Sequence, residues 1–136
     1  MLYRIWLFLA GIAGGTALLA AAYGAHGLGG VTTFSPTVKI YDTATLQHAL
    51  HALVLAATAV LMAATEGRRG MFATVLLNIA ATSFVLGIIL FSGGIYYQIG
   101  SASQTMTPIV PVGGGALLIG WGALALSALG FRRLAA

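Results

Sequence analysis

Cysteine is absent from this sequence, and charged residues are nearly as scarce. Without cysteine the chain can form no disulfide, no thiolate nucleophile and no cysteine-ligated metal site. Charged side chains make up 6% of the 136 residues, whereas a soluble domain has about 25%. The net charge of +4 is spread over separated groups, so no basic patch is dense enough to bind a nucleic acid backbone. Composition therefore excludes a soluble globular domain and a nucleic acid partner.

Long apolar stretches take up most of the chain. Apolar residues make up 60% of the sequence, and the mean hydropathy is +1.01. A helix that crosses a bilayer needs about 20 consecutive apolar residues. Four segments meet this requirement, at about residues 5–23, 46–65, 71–91 and 110–131. We therefore predict an all-α polytopic membrane protein, in which residues 1–136 form a single four-transmembrane-helix bundle within the lipid bilayer.

The basic residues predict how the bundle is oriented. With four spans, the N-terminus, the second loop and the C-terminus lie on one side of the membrane. That side carries five basic residues, and the other side carries only Lys39; the five are Arg4, Arg68, Arg69, Arg132 and Arg133. Lys and Arg are enriched in cytoplasmic loops, so both termini are predicted to be cytoplasmic.

The connections between spans carry turn and capping signals. Residues 66–70 are too few for anything but a tight turn, so the second and third spans should form an antiparallel hairpin. In the longer loop before the second span, Ser35 followed by Pro36 is typical of an N-cap and a first helical position. The second helix is therefore predicted to begin near Pro36, above the lipid core.

Glycines are placed where helices could approach each other closely. Membrane helices associate through close backbone contact at small residues, and six glycines at helical spacing are candidates for such contacts: Gly11, Gly15, Gly87, Gly94, Gly114 and Gly120. Two interpretations stay open. The glycines either pack the four helices of one chain together or form the interface of a homo-oligomer.

The three histidines are the candidate ligand residues. His48 and His51 are three residues apart, which places them on one helix face together with Tyr41. Counting along the first helix from Arg4 and along the second from Glu66 places His26 near the level of His51 in the membrane. Three imidazoles could bind zinc or copper, and a quinone or lipid headgroup is a further possibility. Alternatively, the rings donate hydrogen bonds that tie helices together.

Several short motifs give the chain a resemblance to a known family. They are Tyr23-Gly-Ala-His-Gly-Leu28, Gln47-His-Ala-Leu-His-Ala-Leu53, Phe91-Ser-Gly-Gly-Ile-Tyr96, Thr107-Pro-Ile-Val-Pro-Val-Gly-Gly114 and Gly120-Trp121. In this order they resemble the domain-of-unknown-function 423 family, small bacterial membrane proteins related to vertebrate transmembrane protein 256.

This resemblance implies a four-helix protein of the bacterial cytoplasmic (inner) membrane, with no settled activity. It adds Ser92 and Tyr96 to the candidate site of His26, His48, His51 and Tyr41. Gly94 stands where the family pattern usually has a second serine, which removes one possible hydroxyl ligand.

Three functions are compatible with the sequence. The sequence shows no catalytic constellation, and no ionisable residue accompanies the polar Asn78, Thr82 and Ser83 in the third span. We therefore favour a non-enzymatic accessory or assembly component, without a required cofactor, that docks against a larger membrane complex. The alternative is a protein that binds a small ligand or a metal at the histidines. An oligomeric pore or transporter comes last, because ion coupling needs charged groups inside the membrane.

Overall fold

The computed structural model describes residues 2–28, 35–103 and 105–131. Within these ranges, four helices are long and apolar enough to cross a membrane, as the sequence predicts. The predicted all-helical, multi-pass architecture is therefore confirmed. Arg132 and Arg133, which contribute to the predicted orientation, lie outside the described residues.

The first two helices run antiparallel along most of their length. Helix α1 spans Leu2–Gly27 and α2 spans Pro36–Ala64, so both exceed the apolar segments that define them in the sequence. Helix α2 begins as predicted, because the Ser35 hydroxyl accepts a hydrogen bond from the Thr37 backbone N–H. Proline at the first helical position has no N–H that would need a partner.

The turn at residues 66–70 joins α2 to the third span. Gly67 has a φ of +79°, a conformation that glycine adopts at little cost. The Arg69 guanidinium donates hydrogen bonds to the Met62 carbonyl at the end of α2 and to the Thr74 hydroxyl, at 3.1 Å in the second case. Because this cation covers a carbonyl that α2 leaves without a helical partner, the turn and both helix ends form one unit.

The third span consists of three helical segments without a break. Helix α3 covers Met71–Gly87, a π-helical segment covers Ile88–Gly93, and α4 covers Gly94–Ser101. On a regular helix, two residues eight apart would point about 80° away from each other. One extra residue per turn in the π segment reduces this to about 20°, so Phe84 and Ser92 both face α2.

The last span packs closely on the third along what we call the α3/α5 seam. Helix α5 covers Val110–Ser127 and ends in a short 3₁₀ turn, Ala128–Gly130. A Cβ atom at Gly113 would lie 2.3 Å from the Phe91 backbone nitrogen, and one at Gly120 would lie 2.6 Å from the Phe84 ring. Only glycine permits these approaches, which bring the α5 backbone against the π segment.

The six candidate packing glycines divide into two groups. A Cβ at Gly87 would lie 2.1 Å from Leu117, one at Gly94 would lie 3.0 Å from Val110, and one at Gly114 would make ordinary contact with Phe91. At Gly11 and Gly15 nothing lies within 4 Å. Both are exposed, so among the described residues no close contact inside the chain requires glycine at these two positions, and their role in a homo-oligomer stays a prediction.

Candidate functional site

A crevice opens between α1 and the third span, with a volume of about 320 Å³. Its sides are apolar, and three polar side chains form its floor; the lining residues are Leu9, Ile12, Ala13, Thr16, His48, Val85, Ile88, Ile89, Gly93 and Tyr96. We call this space the α1 crevice. Near its Leu9 end, the Trp6 indole N–H donates a 3.0 Å hydrogen bond to the Asn78 side-chain oxygen, which ties α1 to α3.

His48 lies at the floor of the α1 crevice between two hydroxyl groups. Its Nε2 is 3.4 Å from the Thr16 hydroxyl oxygen, and its Nδ1 is 3.4 Å from the Tyr96 hydroxyl. Both distances exceed the usual 2.7–3.2 Å for a hydrogen bond from nitrogen to oxygen. The ring is buried, at 6% exposure, but its hydrogen bonds to these neighbours are weak.

The hydroxyl groups around His48 allow two proton arrangements. The Thr16 and Thr45 hydroxyls donate to backbone carbonyls, at 2.9 and 3.0 Å, so their oxygens can only accept from the site. Tyr96 lies 3.4 Å from both Thr45 and His48 and has one proton to donate. If that proton goes to His48 Nδ1, then Nε2 carries the ring's N–H and donates. If it goes to Thr45, Nδ1 carries the N–H and Nε2 accepts.

His51 lies on the same helix face as His48, but both of its ring nitrogens form well-formed hydrogen bonds. Its Nδ1 lies 2.8 Å from the Gln47 carbonyl oxygen, which can only accept, so Nδ1 carries the proton. Its Nε2 then accepts a 3.1 Å hydrogen bond from the Trp121 indole N–H. Phe84 and Trp121 pack against the ring at centroid distances of 5.7 and 6.1 Å. Both nitrogens are occupied, so His51 connects α2 to the α3/α5 seam.

Tyr41 and Ser92 fix helices to one another above the crevice. The Tyr41 hydroxyl donates a 2.8 Å hydrogen bond to the Ala20 carbonyl, and its ring lies so close to α1 that a Cβ at Gly24 would be 2.8 Å from it. The buried Ser92 hydroxyl donates to the Ala44 carbonyl at 2.8 Å. These two side chains have short, well-formed bonds and act as anchors between helices.

His26 does not join the other two histidines. It is exposed in the last turn of α1, ten residues beyond Thr16, which contacts His48. Ten residues of helix correspond to about 15 Å. Within the parts of the chain that the structure describes, no three His, Cys, Asp or Glu side chains lie close enough to hold a metal ion. This geometry does not support the three-histidine zinc or copper site.

Sequence reasoning missed four residues that complete the site. Thr16 contacts His48, Trp121 donates to His51, and Thr45 contacts Tyr96, while Phe84 packs against both His51 and Trp121. Trp121 had a signal, since its indole N–H needs a partner inside a membrane and it belongs to one of the family-like motifs. The threonines carried no comparable signal. By contrast, the polar Asn78 noted in the third span does contact another helix, because its side-chain oxygen accepts a hydrogen bond from the Trp6 indole N–H.

Comparison with known proteins gives a family and relatives but no activity. The sequence profile of a family described as protein of unknown function (DUF423) matches residues 20–114. A UPF0382 membrane protein of Haemophilus influenzae is 30% identical over 120 residues, which cover 88% of this chain and 90% of that protein. A UPF0382 membrane protein of Staphylococcus epidermidis is 27% identical over 128 residues, covering 94% and 98% respectively. No solved structure matches the chain significantly.

Proposed function

We propose that this chain, which belongs to the DUF423 family of proteins of unknown function, binds an amphipathic molecule of the membrane in the α1 crevice. The observation that carries the proposal is the position of His48 at the floor of an apolar crevice, with both ring nitrogens at long distances from their neighbours. The role assigned is binding, and no catalytic step is proposed.

The energetics of polar groups in lipid support this role. A polar side chain inside a membrane is costly unless it has hydrogen-bond partners. His51 and Ser92 have such partners at 2.8–3.1 Å, whereas those of His48 lie at 3.4 Å. The polar head of a ligand would give His48 a hydrogen bond of ordinary length. The apolar tail of the ligand would contact the crevice walls.

The size and position of the crevice also fit a lipid-phase ligand. Its volume of about 320 Å³ is at the lower end of the range for small-molecule sites. Ile12 and Ile89, which line it, are both largely exposed on the outside of the bundle. A molecule dissolved in the bilayer can therefore enter sideways between α1 and the third span.

Filling the crevice tests the proposal. Phenylalanine at Ala13 would occupy the space between α1 and the third span, whereas Ala22→Phe adds the same side chain to an exposed part of α1. The wild type and the two variants are purified from native membranes. The lipid-phase molecules that remain bound to each are counted by native mass spectrometry. We expect one molecule to be retained by the wild type and by Ala22→Phe, and lost from Ala13→Phe. Equal retention by all three would contradict the proposal.

An accessory role in a larger membrane complex is the second candidate, and a different surface favours it. A groove of about 630 Å³ runs between α1 and α2, and most of its lining consists of alanine and glycine. Gly11 and Gly14 face it with nothing within 4 Å of a Cβ. Small residues let a further transmembrane helix approach closely, so Gly14→Leu should release a partner that co-purifies with the wild type. Gly115→Leu, on an equally open part of α5, should retain it.

The bacterial cytoplasmic membrane, with both termini in the cytoplasm, is the proposed location. The bacterial relatives and the basic residues at one end of the bundle support it. Because the chain contains no cysteine, single cysteines report cleanly on sidedness. An impermeant maleimide should label Ser101→Cys in intact cells and should label Met71→Cys only after lysis. The reverse pattern would contradict the orientation.

A further inference from the structure

We infer that the ligand head held at His48 is the uncharged ring of a prenylated quinone and of its quinol. This assignment rests on the proposed binding function and specifies its ligand class. It depends on three features of the α1 crevice: the charge of its lining, the reversible hydrogen bonding of His48, and the shape of the apolar walls.

The lining of the crevice has no charged partner for an ionic head. Among the residues that the structure describes, those that line the crevice include no Asp, Glu, Lys or Arg. The one Arg or Lys of α1 is Arg4, five residues before Leu9, or about 8 Å along the axis. A phosphate buried at the floor would lack a counter-charge, which is costly in a medium of low dielectric constant. The head is therefore an uncharged group.

The hydrogen bonding of His48 suits a head that exists in two forms. When Tyr96 donates to Nδ1, the Nε2–H points to the Thr16 side and can donate to a ligand carbonyl. When Tyr96 donates to Thr45, Nε2 can accept from a ligand hydroxyl. A quinone offers carbonyl oxygens and its quinol offers hydroxyl groups, so a change of the His48 tautomer, together with rotation of the Tyr96 hydroxyl, matches the site to either form.

The walls suit a planar head on a branched tail. The centroids of the His48 and Tyr96 rings lie 6.0 Å apart at the floor, and the two rings provide flat surfaces for the ring of the ligand. From Thr16 to Leu9 the crevice follows α1 for about 10 Å. Ile12, Ile88 and Ile89 line this length, and their branched side chains fit the methyl branches of a prenyl tail.

Photo-crosslinking with competition tests the ligand class. The full-length protein, in nanodiscs of phosphatidylcholine, is labelled with an azido quinone that carries a prenyl tail, and the labelled peptides are identified by mass spectrometry. Decylubiquinone, its reduced quinol, diacylglycerol and phosphatidylglycerol are added as competitors. The variants are His48→Phe and the milder Thr16→Val, with His26→Phe as the matched control outside the crevice.

We expect labelling of residues 9–16 and 85–96, and competition by quinone and quinol at similar concentrations. His48→Phe should weaken the competition about tenfold and Thr16→Val by a few fold, as loss of one neutral hydrogen bond predicts, while His26→Phe should match the wild type. If diacylglycerol or phosphatidylglycerol competes as well as the quinone in a His48-dependent way, the quinone assignment fails and the binding function stands. Labelling that no competitor reduces, or that neither crevice variant changes, would overturn both.

Discussion

The two neighbouring histidines His48 and His51 have different surroundings on the two sides of this bundle. On one side, the α3/α5 seam is closed by glycine contacts at Gly113 and Gly120, and it encloses His51 with two short hydrogen bonds. On the other side, the α1 crevice stays open, and the two hydrogen bonds that His48 forms with described residues are both long. The two rings are three residues apart, which on a helix turns them about 60° from each other.

This difference separates a structural imidazole from one that is available to a ligand. Both histidines are buried, at 6% and 4% exposure, so burial alone does not distinguish them. What distinguishes them is how completely each ring is hydrogen-bonded and whether open space lies beside it. Variants that act on one side and not on the other therefore test this distinction.

The largest expected effect is at the closed seam. In Gly113→Leu the new side chain would collide with the backbone of Leu90 and Phe91, and overpacking against backbone should cost about 3 kcal/mol or more. Gly14→Leu, on the open face of α1, should change stability little. The free energy of unfolding in detergent micelles measures both. Equal stability of the two variants would show that the seam is not closed as described.

The second effect compares the two histidines directly. His51→Leu removes two short hydrogen bonds and leaves the Trp121 N–H without its acceptor, which should cost about 2 kcal/mol. His48→Leu breaks only long contacts and should cost less than about 1 kcal/mol. Unfolding of both variants in the same detergent gives the comparison. A larger loss at His48 would reverse the assignment of roles.

Tyr41 provides a smaller effect at the anchor between α1 and α2. Tyr41→Phe removes the hydrogen bond to the Ala20 carbonyl and keeps the ring on Gly24, so a loss of about 1 kcal/mol is expected. Tyr97→Phe, at a half-exposed tyrosine, serves as the control and should be neutral. If thermal unfolding shows the same midpoint for Tyr41→Phe and the control, the anchor does not stabilise the pair of helices.

The smallest effect concerns the bond that ties α1 to α3 beside the crevice. Asn78→Leu removes the acceptor of the Trp6 indole N–H, and hydrogen bonds between membrane helices average about 0.6 kcal/mol. Thr82→Val, one turn further along the exposed side of α3, should have no effect. The Trp6 emission spectrum, recorded in a Trp121→Phe background, should shift only in Asn78→Leu.

The sequence was sufficient for the architecture because lipid imposes simple requirements on length and apolarity. Four long apolar segments and the Ser35–Pro36 cap were enough to place four spans and the start of α2. The extents of the helices were less predictable. Helix α1 and the third span continue beyond their apolar segments, to Gly27 and Ser101, because polar and small residues there still form helical bonds.

The candidate site was predictable only in part, because it depends on how helices are shifted along one another. Counting from Arg4 and Glu66 assumed that both lie at one level, which placed His26 beside His51. In the fold, Thr16 faces His48 and Ala20 faces Tyr41, so His26 lies near the start of α2. Likewise, glycine spacing gave Gly11 and Gly87 equal weight, although only Gly87 meets another helix.

Nitrogen-15 NMR of the histidine rings tests most directly whether His48, and not His51, contacts a membrane ligand. Protein labelled with ¹⁵N-histidine is compared before and after addition of a total lipid extract from a bacterial membrane, with His26→Phe, His48→Phe and His51→Leu used to assign the signals. We predict that the His48 ring nitrogens shift, while His51 stays protonated on Nδ1 and unchanged. A shift at His51 with none at His48 would contradict ligand binding at His48.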